Sequence, residues 1–436
     1  MQTILDQLIA DFQERSLPSL TPRQARLPWL PGKIDTVIGM RRSGKTWFLY
    51  QNMHRLISQG IPRECLLYLN FEDERLLPMT TGDLQQIPEV FYRRFPHLKN
   101  ETCYYFFDEI QNVPGWELFL RRLLDTENAH FCIIGSSAKL LSAEIATSLR
   151  GRSLAAEIFP FSFAEALAHA GAAQKDTKIP GAKRRALLEN RFQVYLTAGG
   201  FPEVQGMDDH HRVSVLQNYL DVVVLRDLVE RHQISNVVPL RHMIRHLINS
   251  PAGLFSIQKF YNDMKSQGTA CGKNTLHQYL DYLTDAYLFF PVYIHTDSER
   301  ARMVNPRKIY TIDTGLIRAC SRKVSPAWGH LLENFVFLEL RRQTDRIEYY
   351  RTQKGREVDF YLTDAEGTPR LIQVAAEITG GNTRRREVTA LTEAMAECRL
   401  AQSTIITFDI EDTVKTEAGR IHVTPAWKWA LNIGSH

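Results

Sequence analysis

The chain has 436 residues, with 53 Lys and Arg against 49 Asp and Glu and a formal charge of +4. That length exceeds what one hydrophobic core fills, so two to four domains are expected, and the near balance of charge excludes an overall basic field as a source of nucleic-acid attraction. Cys65, Cys103, Cys132, Cys271, Cys320 and Cys398 lack any C-x-x-C spacing and read as reduced core thiols, while Asp6, Asp11 and Glu14 interrupt the first residues and no apolar run of about 20 residues follows, so neither a secretory leader nor a membrane span is expected and a cytosolic location is.

The apolar run 34–38 predicts a buried strand that stops at Gly39. Next, Gly39-Met40-Arg41-Arg42-Ser43-Gly44-Lys45-Thr46 spells G-x-x-x-x-G-K-T, and Trp47-Phe48-Leu49-Tyr50 opens a helix. Glycine tolerates positive φ, so consecutive amides in such a turn point inward at an anion, and the helix beginning at Gly44 adds its positive dipole end. The pattern predicts a polyphosphate cradle for ATP or ADP, with Lys45 against the β and γ phosphates and the Thr46 hydroxyl on Mg²⁺.

The continuous apolar run 104–107 predicts a strand buried on both faces of a parallel sheet, ending in Asp108-Glu109. Asp108 suits a water-mediated Mg²⁺ ligand and Glu109 a base that orients the attacking water, the pairing of a Walker B strand. A further strand, 66–69, ends at Asn70, which could hold Glu109 inactive or simply form a turn. The run 131–134 stops at Gly135-Ser136-Ser137, short hydroxyls able to sense a γ-phosphate, Ser136 ahead of Ser137. Arg150 and Arg152 then precede the strand-like run 154–158. A guanidinium there can enter a neighbouring subunit's nucleotide site, which implies a ring or filament, or can pair with a local acid such as Glu157; Arg152 is the better candidate.

This order of pieces resembles the AAA+ superfamily, and more narrowly a prokaryotic family of AAA ATPases fused to a C-terminal domain of unknown function. Further pieces that carry the resemblance are Gly199-Gly200-Phe201-Pro202-Glu203, Ile309-Tyr310-Thr311-Ile312-Asp313-Thr314-Gly315-Leu316 and Arg356-Glu357-Val358-Asp359-Phe360. It covers nearly the whole chain and implies ATPase chemistry more firmly than a biological substrate.

Residues 164–233 read as mainly helical, broken by Gly199-Gly200-Phe201-Pro202, a lid or connector. From 237 to 316, three short helical patterns and two strand patterns suggest a winged helix. Its groove-facing candidates are Lys273, Asn274 and His277, with Arg300, Arg302, Arg307 and Lys308 at the ribbon tip for phosphates; a winged helix used only for protein contacts is the alternative. Beyond 329, a helix followed by three strands looks like the PD-(D/E)XK nuclease fold. Glu333 and Asp359 match its acids, but Gln373 stands where the third acid belongs and Ala375 where the lysine should be, so an inactive nuclease-like domain kept for binding or assembly is expected, with Lys354 or Arg356 as spatial substitutes.

The expected fold class is α/β, a P-loop NTPase parallel-sheet core with helical connector, winged helix and C-terminal restriction-endonuclease-like domain, divided at 1–165, 166–235, 236–318 and 319–436. The expected function is a Mg²⁺-dependent AAA+ ATPase that acts on DNA as a homo-oligomer without a membrane partner. A metal-dependent DNA nuclease controlled by ATP and an ATP-gated scaffold for protein partners are the alternatives.

Overall fold

The computed structural model describes residues 1–135, 149–172, 181–322, 328–364, 366–378 and 381–432. It resolves two compact units, 1–159 and 160–436. The expected divisions at 235/236 and 318/319 fall inside the second.

The first unit is built on β1 (Ile34–Ile38), β2 (Leu66–Asn70), β3 (Cys103–Asp108), β4 (Ala129–Ile134) and β5 (Ser153–Glu157), in the spatial order β2-β3-β4-β1-β5. All four pairings are parallel, with Asn70 beside Asp108 and Asp108 beside Ile134. Every residue of β1 is buried, which is why the strand carries no alternation of apolar and polar positions. Helix Lys45–Ser58 lays Phe48, Leu49 and Met53 into the same core as Val37, Phe106 and Cys132.

An element not read from the sequence opens the chain: helix Gln2–Glu14, which buries Leu5, Ile9 and Phe12. Their spacing puts them on one face, and each buried side chain of this kind contributes roughly 1.5–3 kcal/mol. Phe12 meets Tyr68 of β2, ring centroids 5.7 Å apart.

The second unit begins with helices Phe163–His169, Ala182–Ala198 and Asp209–Val222, the last continuing into a π-helical stretch, Val223–Glu230. Helices Val237–Asn249, Ile257–Ser266 and Lys273–Asp285 follow, with β6 (Leu254–Phe255), β7 (Phe289–Ile294) and β8 (Arg307–Thr311). After helix Trp328–Arg341 come β9 (Ile347–Arg351), β10 (Glu357–Thr363), β11 (Pro369–Val374), helix Gly381–Cys398, β12 (Gln402–Thr407), β13 (Asp412–Thr416) and β14 (Gly419–Pro425). These strands form one nine-stranded mixed sheet, β13-β14-β12-β11-β10-β9-β7-β8-β6. The β7–β8 ribbon is therefore continuous with the C-terminal strands, because β7 pairs in parallel with β9 through Tyr293–Glu348 and Ile294–Tyr349.

Two of the sequence motifs meet here. Asp313 caps helix Thr314–Cys320 by accepting the Leu316 amide at 2.9 Å, and its other carboxylate oxygen accepts the Gly200 amide at 2.6 Å. Burial pushes the Asp313 carboxyl up to about 6 although the amides of Gly200, Leu316 and Gly315 pull it back. The glycines are required by contact: a Cβ on Gly199 would lie 2.1 Å from the Asp313 carboxylate, and one on Gly315 2.2 Å from the Ala198 carbonyl oxygen. Gly315 is helical, a position where alanine normally gains about 1 kcal/mol, whereas overpacking costs about 1–3 kcal/mol. Gly315→Ala should therefore lower the thermal midpoint; a higher midpoint would contradict the close approach.

Candidate functional site

The turn after β1 owes its shape to backbone conformations that side chains resist. Gly39 has φ +144°, Arg42 +66° and Gly44 +97°, and a Cβ on Gly39 would lie 2.3 Å from the Ile158 carbonyl oxygen. The first full helical turn closes with Phe48 N donating to Gly44 O at 3.0 Å. The amides before it thus form the helix N-terminus, the arrangement that favours an anion. Met40 and Ser43 are buried, Arg41 is half-buried, Arg42 is exposed, and Trp47 is 50% exposed with its ring edge-on to Tyr50. Lys45 is buried and its Nζ donates to the carbonyls of Gly39 (2.9 Å) and Met40 (3.0 Å), so the ammonium already stands inside the loop.

Strand β3 brings its carboxylate to this turn. Asp108 Oδ2 accepts from Thr46 Oγ1 at 3.1 Å and from Tyr68 Oη at 3.3 Å. A hydroxyl and a carboxylate at this separation fit a shared Mg²⁺, and the Lys45 loop beside them fits a polyphosphate. Burial raises the Asp108 carboxyl to about 6, with neighbouring Glu109 adding, while Thr46, Lys45 and Tyr68 pull it down. Glu109 adopts φ +55°, which turns it out of the strand direction, and it accepts from the Gln111 side-chain amide. Asn70 lies in register with Asp108, yet its Oδ1 accepts the Glu72 amide at 3.0 Å, the turn-forming alternative.

Ser136 and its neighbour Ser137 lie outside the described residues. Arg152 pairs with Asp125 of its own unit, a local acid other than Glu157, whereas Arg150 is exposed with φ +51°.

Two residues the sequence did not single out support the loop. Buried Arg23 donates from Nη1 to Ser43 O at 2.9 Å and from Nη2 to Phe159 O, bracing the turn against the end of the sheet. Its backbone is held in turn by both ends of the Gln51 amide, at 2.6 and 3.0 Å. Tyr68 is the other. Neither has a local signal, since each acts through contacts 20 or more residues away.

In the second unit Glu333, Asp359 and Gln373 do come together, around a residue expected elsewhere. Lys308 Nζ donates to Asp359 Oδ1 (2.7 Å) and Glu333 Oε1 (2.8 Å) and lies 3.0 Å from Glu357 Oε1. Tyr310 Oη donates to Glu333 Oε1 at 2.8 Å, and the Val374 amide to Asp359 Oδ2 at 2.8 Å. Gln373 accepts the Asp359 amide at 3.1 Å and donates to Glu387 at 2.8 Å. Burial acts against the Lys308 ammonium, but Asp359, Tyr310, Glu333 and Glu357 outweigh it and hold its pKa above the ordinary value. Burial also pushes Glu333 up to about 7, with Asp359 adding and Lys308 opposing.

The expected phosphate contacts at Arg307 and Lys308 are thereby corrected. Both are buried in β8, an interior strand: Lys308 pairs with Leu254 of β6 and Val292 of β7, and Arg307 with Phe255 of β6. Arg302 pairs with Glu348 at 2.8 Å and sits over Tyr293 at 5.1 Å. His277 is half-buried, and burial, Arg307 and Lys273 all lower its pKa. Lys273, Asn274 and Arg300 are exposed. The suggested substitutes for the missing lysine are engaged elsewhere: Lys354 and Arg356 pair with Glu393 at 3.4 and 3.1 Å.

Residues 31–167 match the family model described as an AAA domain, residues 189–326 a domain of unknown function (DUF8612) and residues 328–429 a second one (DUF4143). Together with the parallel five-stranded sheet, this defines the first unit as an AAA-type, P-loop ATPase-like domain. Uncharacterized protein MJ1544 of Methanocaldococcus jannaschii is 36% identical over 419 residues, 94% of this chain and 90% of that protein, and the chain belongs to its family. An uncharacterized protein of Haemophilus influenzae is 31% identical over 345 residues, 79% of this chain and 83% of that protein. Among solved structures, the Walker-type ATPase PABY2304 of Pyrococcus abyssi has a TM-score of 0.40 at 13% identity, covering 73% of this chain and 95% of that one. No helix among the described residues is long and apolar enough to cross a membrane.

The Asp108 environment has a measurable consequence. Its folded-state pKa, about 6, exceeds the ordinary 3.8, so the native chain holds more protons between those values. The protonated form is the stabilising one, and that contribution is lost as pH rises through about 6. Without nucleotide or metal, Asp108→Asn should stabilise the fold at pH 8 by about 1–3 kcal/mol and confer much less at pH 4. Urea melts at the two pH values check this.

Proposed function

We propose that this chain is a Mg²⁺-dependent ATP hydrolase whose nucleotide state acts on DNA through the second unit. The observation that carries the reading is the meeting of Thr46 Oγ1 and Asp108 Oδ2 at 3.1 Å beside a loop that encloses the Lys45 ammonium. Bound magnesium would supply charge neutralisation across the β and γ phosphates. Lys45 would follow the same phosphates by exchanging its carbonyl partners for their oxygens. Thr46 and Asp108 would hold the metal, Asp108 through water, with Tyr68 keeping that carboxylate in place. Glu109, turned out of the strand, would orient and deprotonate the attacking water. The amides of residues 42–47 would cradle the phosphates, with exposed Trp47 beside them.

The exposure of Arg150 and the local pairing of Arg152 favour Arg150 as the residue presented to a neighbouring subunit, in a ring or filament. DNA contact is supported by exposed Lys273 and Asn274 at the start of helix Lys273–Asp285 and by exposed Arg300, the remaining part of the expected winged-helix footprint.

Turnover measured with and without single-stranded, duplex and branched DNA tests both levels. Wild type should hydrolyse ATP only with Mg²⁺, Lys45→Ala should lose about 100-fold or more, and DNA should raise the rate. Hydrolysis unaffected by Lys45→Ala would overturn the site. Rates indifferent to every DNA, with Lys45 still essential, would overturn the DNA role alone.

A further inference from the structure

We propose that the ammonium of Lys308 permanently takes the place that a divalent cation would need between Glu333 and Asp359, making the C-terminal carboxylate cluster a metal-excluding clasp and not a nuclease centre.

Carboxylates surround the ammonium: it donates to Asp359 Oδ1 at 2.7 Å and to Glu333 Oε1 at 2.8 Å, and Glu357 Oε1 lies 3.0 Å away. A magnesium or calcium ion bridging Glu333 and Asp359 would need oxygens at about 2.0–2.6 Å, in the space the nitrogen fills. The amine cannot swing aside as a surface lysine would. Its side chain is 4% exposed, and its backbone sits inside the sheet, paired with Leu254 of β6 and Val292 of β7.

Two of these acids have further partners: Glu333 Oε1, the oxygen that meets Lys308, also takes the Tyr310 hydroxyl, and Asp359 Oδ2 takes the Val374 amide. Gln373, where a third acid would add negative charge, is neutral and divides its amide between Asp359 N and Glu387. No metal-holding group of His, Cys, Asp and Glu occurs among the described residues. A lysine serving a scissile phosphodiester must also be reachable by it, which this one is not.

The cation is instead attached covalently to β8, and its acids come from helix Trp328–Arg341 and from β10. The clasp therefore ties the ribbon strand to the C-terminal strands without any soluble ion. Removing Lys308 leaves its carboxylates uncompensated, which makes the ammonium the structurally costly member to lose.

The test is Mn²⁺ titration of the full-length, nucleotide-free chain followed by electron paramagnetic resonance. Wild type and Glu333→Gln should give the same isotherm, because no ion sits at Glu333. Lys308→Met should gain a Mn²⁺ site that Lys308→Met/Asp359→Asn lacks, and Mn²⁺ should raise the thermal midpoint of Lys308→Met only. Mn²⁺ bound by wild type and lost in Glu333→Gln would overturn the proposal, as would Asp359-dependent nicking of supercoiled plasmid. If Lys308→Met does not fold, the comparison of wild type with Glu333→Gln decides alone. A folded Lys308→Met that gains no Mn²⁺ would also overturn it.

Discussion

The first unit depends on the close passage of the chain at Gly39 beneath the Ile158 carbonyl, which forces the turn between β1 and its helix and thereby aims Lys45 and Thr46 at the carboxyl edge of the sheet. The parallel register delivers Asp108 to the same edge from β3, although β4 lies between β3 and β1. Arg23 makes the turn rigid from behind by joining the Ser43 and Phe159 carbonyls. A phosphate loop needs such bracing, because amides that must meet an anion gain from being fixed in advance. Helix Gln2–Glu14 belongs to the same construction, since Phe12 packs on Tyr68 and Tyr68 holds Asp108.

The second unit is organised by buried charges that have been given partners. Asp313 accepts amides from two separate segments and so locks the Gly199–Gly200 turn to the start of helix Thr314–Cys320. Five residues earlier on the same stretch, Lys308 joins three carboxylates. Between them Thr311 exchanges two hydrogen bonds, at 2.8 and 2.9 Å, with the Asn334 side chain. One strand and its following turn thus collect contacts from the connector helices, from helix Trp328–Arg341 and from β10, which explains why 309–316 stands out in the sequence although none of its side chains was expected to be buried polar structure.

Much of the first unit was legible because its signals are local. G-x-x-x-x-G-K-T and the apolar run ending in Asp108-Glu109 are contiguous, and their chemistry follows from residue type and order. The strands expected at 66–69, 104–107, 131–134 and 154–158 correspond to β2, β3, β4 and β5 within a residue or two. Arg23 and Tyr68 were not legible, because their value lies in partners 20 to 136 residues away. Lys308 was misread for a related reason. A lysine beside Arg300, Arg302 and Arg307 resembles a basic ribbon tip, and only the strand pairing shows that Lys308 lies in β8 between β6 and β7. The strands β12, β13 and β14 were missed as well; β13 and β14 carry alternating polar residues and complete a sheet whose existence depends on β11 lying alongside β12.

The proposed hydrolysis requires a triphosphate and its metal to bind between the Lys45 loop and Asp108. Isothermal calorimetry of the purified chain with ATP, run with and without magnesium, addresses it most directly. Uptake should be stoichiometric and strengthened by magnesium, and Thr46→Val should render it insensitive to magnesium. Absence of heat from a folded protein at any magnesium concentration, or a magnesium effect unchanged in Thr46→Val, would contradict it.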